Sequence, residues 1–148
     1  MRGEADSWFP LESGGLLMGY WADRDSVVIT DLIGPGPRAR HETHSFAPDY
    51  DFQEGSVAEI YSATDGVVTY LGDWHSHPDG GTGLSRKDRR LLASMARHHE
   101  SRTPKPLMAV LGNDPDWRVS IWVRRRFGLL ALTRACDVRV QPPTILQT

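Results

Sequence analysis

Residues 67–88, VVTYLGDWHSHPDGGTGLSRKD, determine the fold and the chemistry expected of this chain. The stretch opens with β-branched, aromatic and aliphatic residues, a composition typical of a strand. Side chains two residues apart on a strand point to the same face, so the rings of His75 and His77 can converge on one point. Pro78 and the glycine-rich residues 79–83 then end the strand and allow the chain to turn. The stretch therefore predicts a strand that presents two imidazoles at its end.

A helix is predicted to follow this turn, over residues 86–99. Ser85 stands before its first turn, apolar residues recur at helical spacing, and basic residues occupy the opposite side. On such a helix Asp88 can return towards the two imidazoles. Two imidazoles, a carboxylate and a water form the ligand set of a catalytic zinc site, in which one coordination position stays open. The sequence therefore predicts that His75, His77 and Asp88 hold one divalent metal ion.

Other assignments of these side chains are open at this stage. Ser85 and Asp88 have the spacing of a capping box, which stabilises a helix start without any chemistry, although a hydroxyl and a carboxylate can serve both purposes. Asp73 shares the strand face of His75 and is an alternative ligand or a partner of a ligand. The remaining histidines form two pairs outside the predicted site, His41 with His44 and His98 with His99.

The rest of the chain predicts a mixed α/β fold in a single domain spanning residues 1–148. Strands before, between and after two helices are typical of that class. The polar residues 38–53 lack periodicity and are expected to form a long surface loop, a kind of segment that is often functional. The predicted elements outside the quoted stretch are strands at residues 15–21, 27–33, 106–112, 117–123 and 128–133 and a helix at residues 54–63.

The composition fits one soluble globular domain. Of the 148 residues, 39% are hydrophobic and 24% are charged. A formal charge of −2 gives no electrostatic basis for a nucleic-acid or membrane partner. The single cysteine, Cys136, excludes an internal disulfide, which is typical of a reducing compartment. Residues 1–13 lack the apolar core of a signal peptide, and no run reaches the length of a membrane span, so a cytoplasmic protein is expected.

Glu12 is the candidate for moving a proton. Hydrolysis at a metal requires the attacking water to lose a proton and the leaving amine to gain one, so a carboxylate close to the metal is needed. Glu12 precedes Ser13, Gly14 and Gly15, and the glycines permit close approach of the backbone at the start of a strand. Taken alone, Glu12 has the properties of an ordinary surface residue.

The spacing His-Ser-His-Pro, six residues, Ser, two residues, Asp resembles the JAMM motif of the JAB/MPN metalloproteases at every position. Glu12 before a glycine-containing strand resembles the element that carries the glutamate of this family. The resemblance extends from Glu12 to about Val123, which is most of the chain. It implies a single JAB/MPN-type domain with a mixed central β-sheet flanked by helices, an α/β fold of the cytidine-deaminase-like kind.

The same resemblance implies roles for five residues. His75, His77 and Asp88 would bind one catalytic Zn²⁺ per chain, which lowers the pKa of a water ligand to about 7 and polarises the scissile carbonyl. Glu12 would take the proton of the attacking water, and Ser85 would donate a hydrogen bond to the oxyanion. The implied activity is that of an isopeptidase or peptidase that cuts after the C-terminal tail of ubiquitin or a ubiquitin-like protein.

A narrower resemblance concerns the substrate. Residues 69–74, TYLGDW, and residues 44–49, HSFAPD, are similar to those of the bacterial JAMM deconjugases of CBASS anti-phage operons. Such enzymes act beside an E1/E2-like ligase that conjugates a cGAS-like nucleotidyltransferase (CD-NTase) through its C-terminus. The implied task is to remove that conjugate by cutting at the end of the nucleotidyltransferase tail. Only residues 101–105 separate the predicted metal helix from the next strand, so the long second insertion of eukaryotic deubiquitinases has no room here.

Three alternatives compete with this interpretation. A non-catalytic MPN scaffold would use the fold for assembly, although members of that kind usually lack ligands and none is missing here. A JAMM protease could instead process a different ubiquitin-like or sulfur-carrier protein. A metal-dependent phosphodiesterase is disfavoured by the near-neutral charge and by the lack of a phosphate-cradling glycine loop in the sequence.

Overall fold

A six-stranded mixed sheet with helices on both faces forms the framework of the chain. The computed structural model describes residues 1–97, 103, 105–127 and 130–136. The described helices are α1 (Arg2–Trp8), α2 (Tyr50–Ala63) and α3 (Arg86–Met95). The described strands are β1 (Gly14–Trp21), β2 (Val27–Ile33), β3 (Arg40–Glu42), β4 (Ser45–Ala47), β5 (Thr69–His77), β6 (Leu107–Asn113), β7 (Trp117–Phe127) and β8 (Leu130–Cys136).

The order of strands in the large sheet is β2-β1-β5-β6-β7-β8, and β3 and β4 form a separate hairpin. The β5–β6 pair is parallel, whereas the other neighbours in the large sheet are antiparallel. A parallel pair needs a crossover connection, and α3 lies in that crossover. The predicted mixed α/β fold is therefore confirmed, and β5, which carries the histidine pair, lies in the middle of the sheet.

The apolar core covers both faces of this sheet. On one face Ala5 of α1 packs in the same cluster as Leu17 of β1. On the other face Val57 of α2 packs against the cluster that contains Met18, and Leu92 of α3 packs in a neighbouring cluster. Consecutive residues of β1 thus face opposite layers, as the alternation of a strand requires.

A β-bulge at Leu71 decides which layer receives the two histidines. Two consecutive residues of β1 pair with Tyr70 and Gly72, so Leu71 is an extra residue in β5. Leu71 packs in the cluster under α1, whereas Tyr70 packs against the clusters under α2 and α3. The bulge resets the alternation of the strand. As a result, His75 and His77 point towards the layer of α3.

Residues 38–53 are not the surface loop that their composition predicts. They contain β3, β4 and the first turn of α2, which begins at Tyr50 rather than at residue 54. Asp49 is the N-cap of α2, because its carboxylate accepts a hydrogen bond from the Phe52 N–H, and Arg38 binds the same carboxylate through two nitrogens. The prediction was wrong because a cap fixes the start of a helix independently of the apolar periodicity that begins later in the sequence.

Other boundaries also differ from the sequence-based expectations. Helix α1 was not predicted from the sequence. It is joined to β7 by a hydrogen bond of 2.6 Å that Asp6 accepts from the Trp117 indole. Helix α3 ends at Met95 rather than at residue 99, and residues 98–99 lie outside the described residues. Strand β8 runs further than the predicted 128–133, and residue 128 again lies outside the described part. No helix within the described ranges is long and apolar enough to cross a membrane.

Candidate metal centre

Two imidazoles converge at the end of β5. His75 is buried, His77 is half-buried, and their Nε2 atoms lie 3.1 Å apart. The Nδ1 atom of His77 lies 3.1 Å from the carbonyl oxygen of Gly81. Because a carbonyl only accepts hydrogen bonds, Nδ1 donates the proton, and the neutral ring presents its Nε2 lone pair to the cluster. Metal-binding histidines are commonly oriented by such a bond on their second nitrogen.

Asp88, the third residue of α3, completes the cluster from the opposite side. Its Oδ1 lies 3.4 Å from His75 Nε2, and its Oδ2 lies 3.6 Å from His77 Nε2. Burial acts to raise the pKa of Asp88, but hydrogen bonds with the two histidines outweigh burial and keep this pKa well below its ordinary value. The Asp88 carboxylate is therefore ionised at neutral pH.

The same contact acts on His77. Its hydrogen bond with Asp88 raises the pKa of His77, although burial of the ring opposes this effect. A proton on this ring therefore competes with any cation for the Nε2 position.

The donor set fits one divalent cation. One ligand atom from each of His75, His77 and Asp88 lies within 4.8 Å of the other two. Two ligands of a tetrahedral ion bound at about 2.1 Å are about 3.4 Å apart. The 3.1 Å between the two imidazole nitrogens is close to that separation, and the carboxylate approaches the two rings at 3.4 and 3.6 Å with its two different oxygens. Two imidazole nitrogens and a carboxylate oxygen are also the ligand types that zinc prefers, so the site suits a metal ion.

Ser85 is the N-cap of α3, and both halves of a capping box are present. Its Oγ accepts a hydrogen bond of 3.2 Å from the Asp88 N–H, and Asp88 Oδ2 accepts one of 2.7 Å from the Ser85 N–H. The structural role that the spacing predicts is therefore confirmed. The cap uses a lone pair of the hydroxyl and leaves its proton for another acceptor on the exposed side of the helix start. The geometry thus accommodates a catalytic role, which stays a prediction.

The loop that leads into α3 is anchored to β6 and β7. The hydroxyl of Ser120 donates to Thr82 Oγ1 at 2.8 Å, and the indole of Trp122 donates to the Thr82 carbonyl at 3.0 Å. Gly112 of β6 lies directly beneath the loop, where a Cβ atom would collide with the loop backbone. These contacts keep the Gly81 carbonyl in place behind the ring of His77.

Glu12 lies at the entry to β1, on the same face as the histidine pair. Gly14 of β1 is the partner of His75 in β5. Extending this antiparallel register by two residues places Glu12 opposite His77, and directly opposed residues share a face of the sheet. Burial raises the pKa of the Glu12 carboxyl, and the charges of His75 and His77 lower it in part. The predicted proton carrier therefore lies beside the predicted ligands.

The backbone around Glu12 is fixed by residues that sequence reasoning missed. Ser76 Oγ accepts a hydrogen bond of 2.9 Å from the Ser13 N–H, and the Ser76 N–H donates to the Ser13 carbonyl at 2.8 Å. The Glu12 N–H donates to the Glu42 carbonyl at 2.8 Å, and the Glu12 carbonyl lies 2.9 Å from His41 Nδ1. The orientation of Ser76 could have been inferred from the sequence, because a residue between two histidines of one strand must face the opposite layer. Nothing in the sequence connects His41 to Glu12.

The other candidate side chains lie outside the cluster. Asp73 accepts a hydrogen bond of 2.6 Å from the Tyr70 hydroxyl, and burial raises the pKa of its carboxyl. His44 is exposed in the turn between β3 and β4. The pair His98 and His99, expected to lie outside the site, falls outside the described residues.

Sequence comparison identifies relatives over most of the chain. Residues 1–124 match the family model of prokaryotic homologs of the JAB domain. A protein of Sinorhizobium fredii named "Probable metalloprotease y4qB" is 38% identical over 125 residues, which cover 83% of this chain and 76% of that protein. A "CD-NTase/cGAS isopeptidase" of Enterobacter hormaechei is 28% identical over 113 residues, covering 74% of this chain and 60% of the relative. A protein of the same name from Escherichia coli is 33% identical over 69 residues, covering 46% and 43% respectively.

Structural comparison supports the same fold. The solution structure of protein DSY2949 from Desulfitobacterium hafniense matches with a TM-score of 0.68 and covers 97% of this chain and 87% of that one. At 18% sequence identity this similarity concerns the fold alone.

Proposed function

The chain belongs to the prokaryotic JAB-domain family, and from this membership we propose that it is a zinc-dependent isopeptidase acting after the C-terminal tail of a conjugated protein. One observation carries the proposal. His75, His77 and Asp88 converge with the geometry of a metal site, and Glu12 lies on the same face of the sheet. A metal held by three protein ligands, with a carboxylate beside it, is an arrangement that supports metal-assisted hydrolysis.

The proposed substrate is a CD-NTase whose C-terminus has been conjugated to a target, or a ubiquitin-like protein with a similar tail. Two relatives are named CD-NTase/cGAS isopeptidases, which supports the first of these substrates. In that role the protein acts in the bacterial cytoplasm, as part of CBASS anti-phage defence. Its partner is an E1/E2-like ligase that forms the conjugate. A sulfur-carrier or other ubiquitin-like protein is the alternative substrate.

Each side chain has a defined task in the proposed reaction. Zn²⁺, when bound, polarises the scissile carbonyl and increases the acidity of water. Glu12 accepts the proton that the attacking water loses and delivers it to the amine nitrogen as the C–N bond breaks. Burial raises the pKa of Glu12 in the metal-free site, which favours return of the proton to the amine, whereas the charge of a bound Zn²⁺ would act to lower this pKa. The Ser85 hydroxyl donates a hydrogen bond to the carbonyl oxygen as that oxygen gains negative charge.

Substrate recognition is proposed to involve the β3–β4 hairpin. The hairpin adjoins Glu12 through the Glu42 carbonyl, and its two short strands are not part of the large sheet. An extended tail can pair with an exposed strand edge, where backbone hydrogen bonds provide affinity and pockets select individual side chains. The tail would then reach Glu12 in an extended conformation.

The first test uses a linear fusion of the CD-NTase C-terminal tail to a fluorescent protein. Protein loaded with zinc is expected to release the fluorescent protein, to contain about one zinc per chain, and to lose activity with a chelator. Glu12→Gln is expected to keep its zinc while kcat falls about 10²- to 10⁴-fold, because the proton carrier is removed. Metal content is measured by atomic emission and turnover by gel densitometry.

Glu59→Gln is the matched control, since Glu59 is an exposed residue of α2. It should cut at the parental rate. Cleavage by Glu12→Gln at the parental rate would show that the proton carrier is wrongly assigned. A zinc-loaded parent protein that cuts neither the CD-NTase fusion nor a ubiquitin-like fusion would contradict the proposed function itself.

A further inference from the structure

His41 makes a contact that no role proposed so far uses. It lies in β3, and its Nδ1 is 2.9 Å from the carbonyl oxygen of Glu12. Since the carbonyl has no proton to give, the imidazole must be the donor in this bond. His41 therefore joins the β3–β4 hairpin to the backbone of Glu12, the proposed proton carrier.

The ring of His41 is held in one orientation by aromatic neighbours. The Trp8 ring is stacked on it with centroids 3.6 Å apart and planes 12° apart. The Phe46 ring is nearly parallel, at 17°, with its centroid 6.4 Å away. Phe46 also lies over Gly14, where a Cβ atom would approach the phenyl ring too closely. Stacking keeps the imidazole in one plane, and in that plane its Nδ1 faces the Glu12 carbonyl.

The second nitrogen of His41 indicates why a histidine occupies this position. Its Nε2 is buried and has no hydrogen-bond partner among the described residues. A buried polar atom without a partner is unfavourable, so a phenylalanine or leucine would suit the aromatic stack better if packing were its only task. The bond from Nδ1 to Glu12 is the contact in the described structure that uses the polarity of this ring.

We propose that His41 is a positioning residue for Glu12: its Nδ1–H fixes the Glu12 carbonyl, so that the β3–β4 hairpin determines where the Glu12 carboxylate stands beside the metal ligands. The Glu42 carbonyl accepts from the Glu12 N–H, so both backbone hydrogen-bonding groups of Glu12 are held by the hairpin. With its backbone fixed at both ends, the side chain of Glu12 has fewer directions in which to extend. The inference rests on the proposed function, in which Glu12 carries the proton.

Three variants separate the hydrogen bond from the packing. His41→Phe keeps an aromatic ring in the stack but removes the donor, whereas His41→Asn places an amide N–H near the position of Nδ1. Tyr61→Phe, which also removes a polar group from an aromatic ring, is the matched control, because Tyr61 is exposed on α2 and lies outside the hairpin. With the fluorescent fusion, His41→Phe is expected to lower kcat about 10- to 100-fold at unchanged zinc content, and KM should change less than about threefold. His41→Asn should recover most of the lost kcat, and Tyr61→Phe should resemble the parent protein.

Two kinetic results would overturn the inference. One is a His41→Phe variant that cuts like the parent; the other is a His41→Asn variant as impaired as His41→Phe, since the donor would then not be the relevant feature. A failure of the proposed function has a different signature, because the parent protein itself would then not cut either fusion.

A measurement without substrate tests the same contact. Long-range ¹H–¹⁵N NMR spectra distinguish the two neutral imidazole tautomers, and the bond to Glu12 requires the proton of His41 on Nδ1. A proton on Nε2 in the zinc-loaded protein would overturn the inference whether or not a substrate has been found. Detection of the Nδ1–H tautomer in the parent, with faster hydrogen exchange of the Ser13 amide in His41→Phe, would support it.

Discussion

The two halves of the candidate site are assembled in different ways. The ligand half consists of His75, His77 and Asp88 and comes from one continuous strand, turn and helix. The base half consists of Glu12 and the β3–β4 hairpin that holds its backbone. The base half is joined to the ligand half through sheet pairing, in which Ser13 and Ser76 meet although they are 63 positions apart.

This difference indicates that metal binding and proton transfer can be lost separately. The ligand half is stabilised by contacts within its own segment, the capping box of α3 above all, and by the anchoring of its loop to β6 and β7. The base half depends on pairing with distant parts of the chain. Damage to the hairpin should therefore leave a metal-loaded protein that turns over slowly, whereas damage to a ligand should remove both properties.

The largest effect is expected from breaking the ligand half at His77. His77→Ala removes one of three ligands, so the protein should lose its metal and all measurable turnover. The sheet should persist, because His77 lies at the end of β5 and outside the apolar clusters. Zinc content, turnover and the far-UV circular dichroism spectrum check these three expectations.

Glu59→Ala serves as the control for this variant, since Glu59 is an exposed residue of α2 outside the candidate site. It should retain zinc and turnover. A His77→Ala protein that still binds one zinc tightly would mean that the ligand half has been wrongly identified.

A smaller effect is expected at Ser85, which caps the helix of the ligand half and is also the proposed donor to the oxyanion. Ser85→Gly should lower kcat about 10²- to 10³-fold, because a donor to the developing oxyanion is removed. The free energy of unfolding should change by only a few tenths of a kcal/mol, since glycine is nearly as good an N-cap as serine. Turnover and urea denaturation measure the two quantities on the same sample.

Ser85→Thr keeps both the hydroxyl and the cap and should restore most of the turnover. If Ser85→Gly loses stability and turnover in proportion, the serine acts through the capping box alone, and the catalytic assignment is contradicted.

The smallest expected effect is a pH dependence of zinc affinity and of stability, and it tests whether the two halves act independently. The hydrogen bond with Asp88 raises the pKa of His77 in the metal-free site above its ordinary value of about 6.5. The ring therefore keeps its second proton up to a higher pH, and a cation that binds there must displace that proton. Zinc affinity should therefore fall as the pH decreases through that raised pKa, by at most about tenfold per pH unit for one proton. Competition titrations with a chelating dye between pH 6 and pH 8 measure this slope.

Stability of the metal-free protein should show the opposite trend. A histidine with a raised pKa stabilises the folded state below its ordinary pKa, and this contribution disappears as the pH rises through the raised value. The difference in Tm between zinc-loaded and metal-free protein should therefore widen with increasing pH. His41→Phe should leave both trends unchanged, because the groups that shift the pKa of His77, Asp88 foremost, lie outside the hairpin; altered trends would show that the halves are coupled.

The ligand half could be predicted from the sequence because its information is local. Alternation on β5 brings His75 and His77 to one face, and a helix after the turn returns Asp88, so the spacing predicts the cluster if a strand, a turn and a helix follow one another. The bulge at Leu71 could not be predicted, since it depends on pairing with β1. The paired strands β1 and β2 were located within one residue because a clear polar turn separates two apolar runs.

The base half was predicted less well for a physical reason. Glu12 was identified through family resemblance, and nothing in its immediate sequence distinguishes it from a surface glutamate. The hairpin that holds it was mistaken for a loop, because strands of three residues are too short for alternation to be recognised. The donor role of His41 arises only when β3 lies against the entry to β1.

The extra residue at Leu71 allows β5 to lose one residue without turning over. Without Leu71, Tyr70 and Gly72 would follow each other and keep their present partners in β1, so both histidine rings would still face the layer of α3. A residue inserted between Gly72 and Trp74 would instead turn over the end of the strand, so that both rings would face the layer of α1 and Trp74 would leave it. Single deletions in this strand should therefore be tolerated better than single insertions, whichever metal or substrate the protein uses.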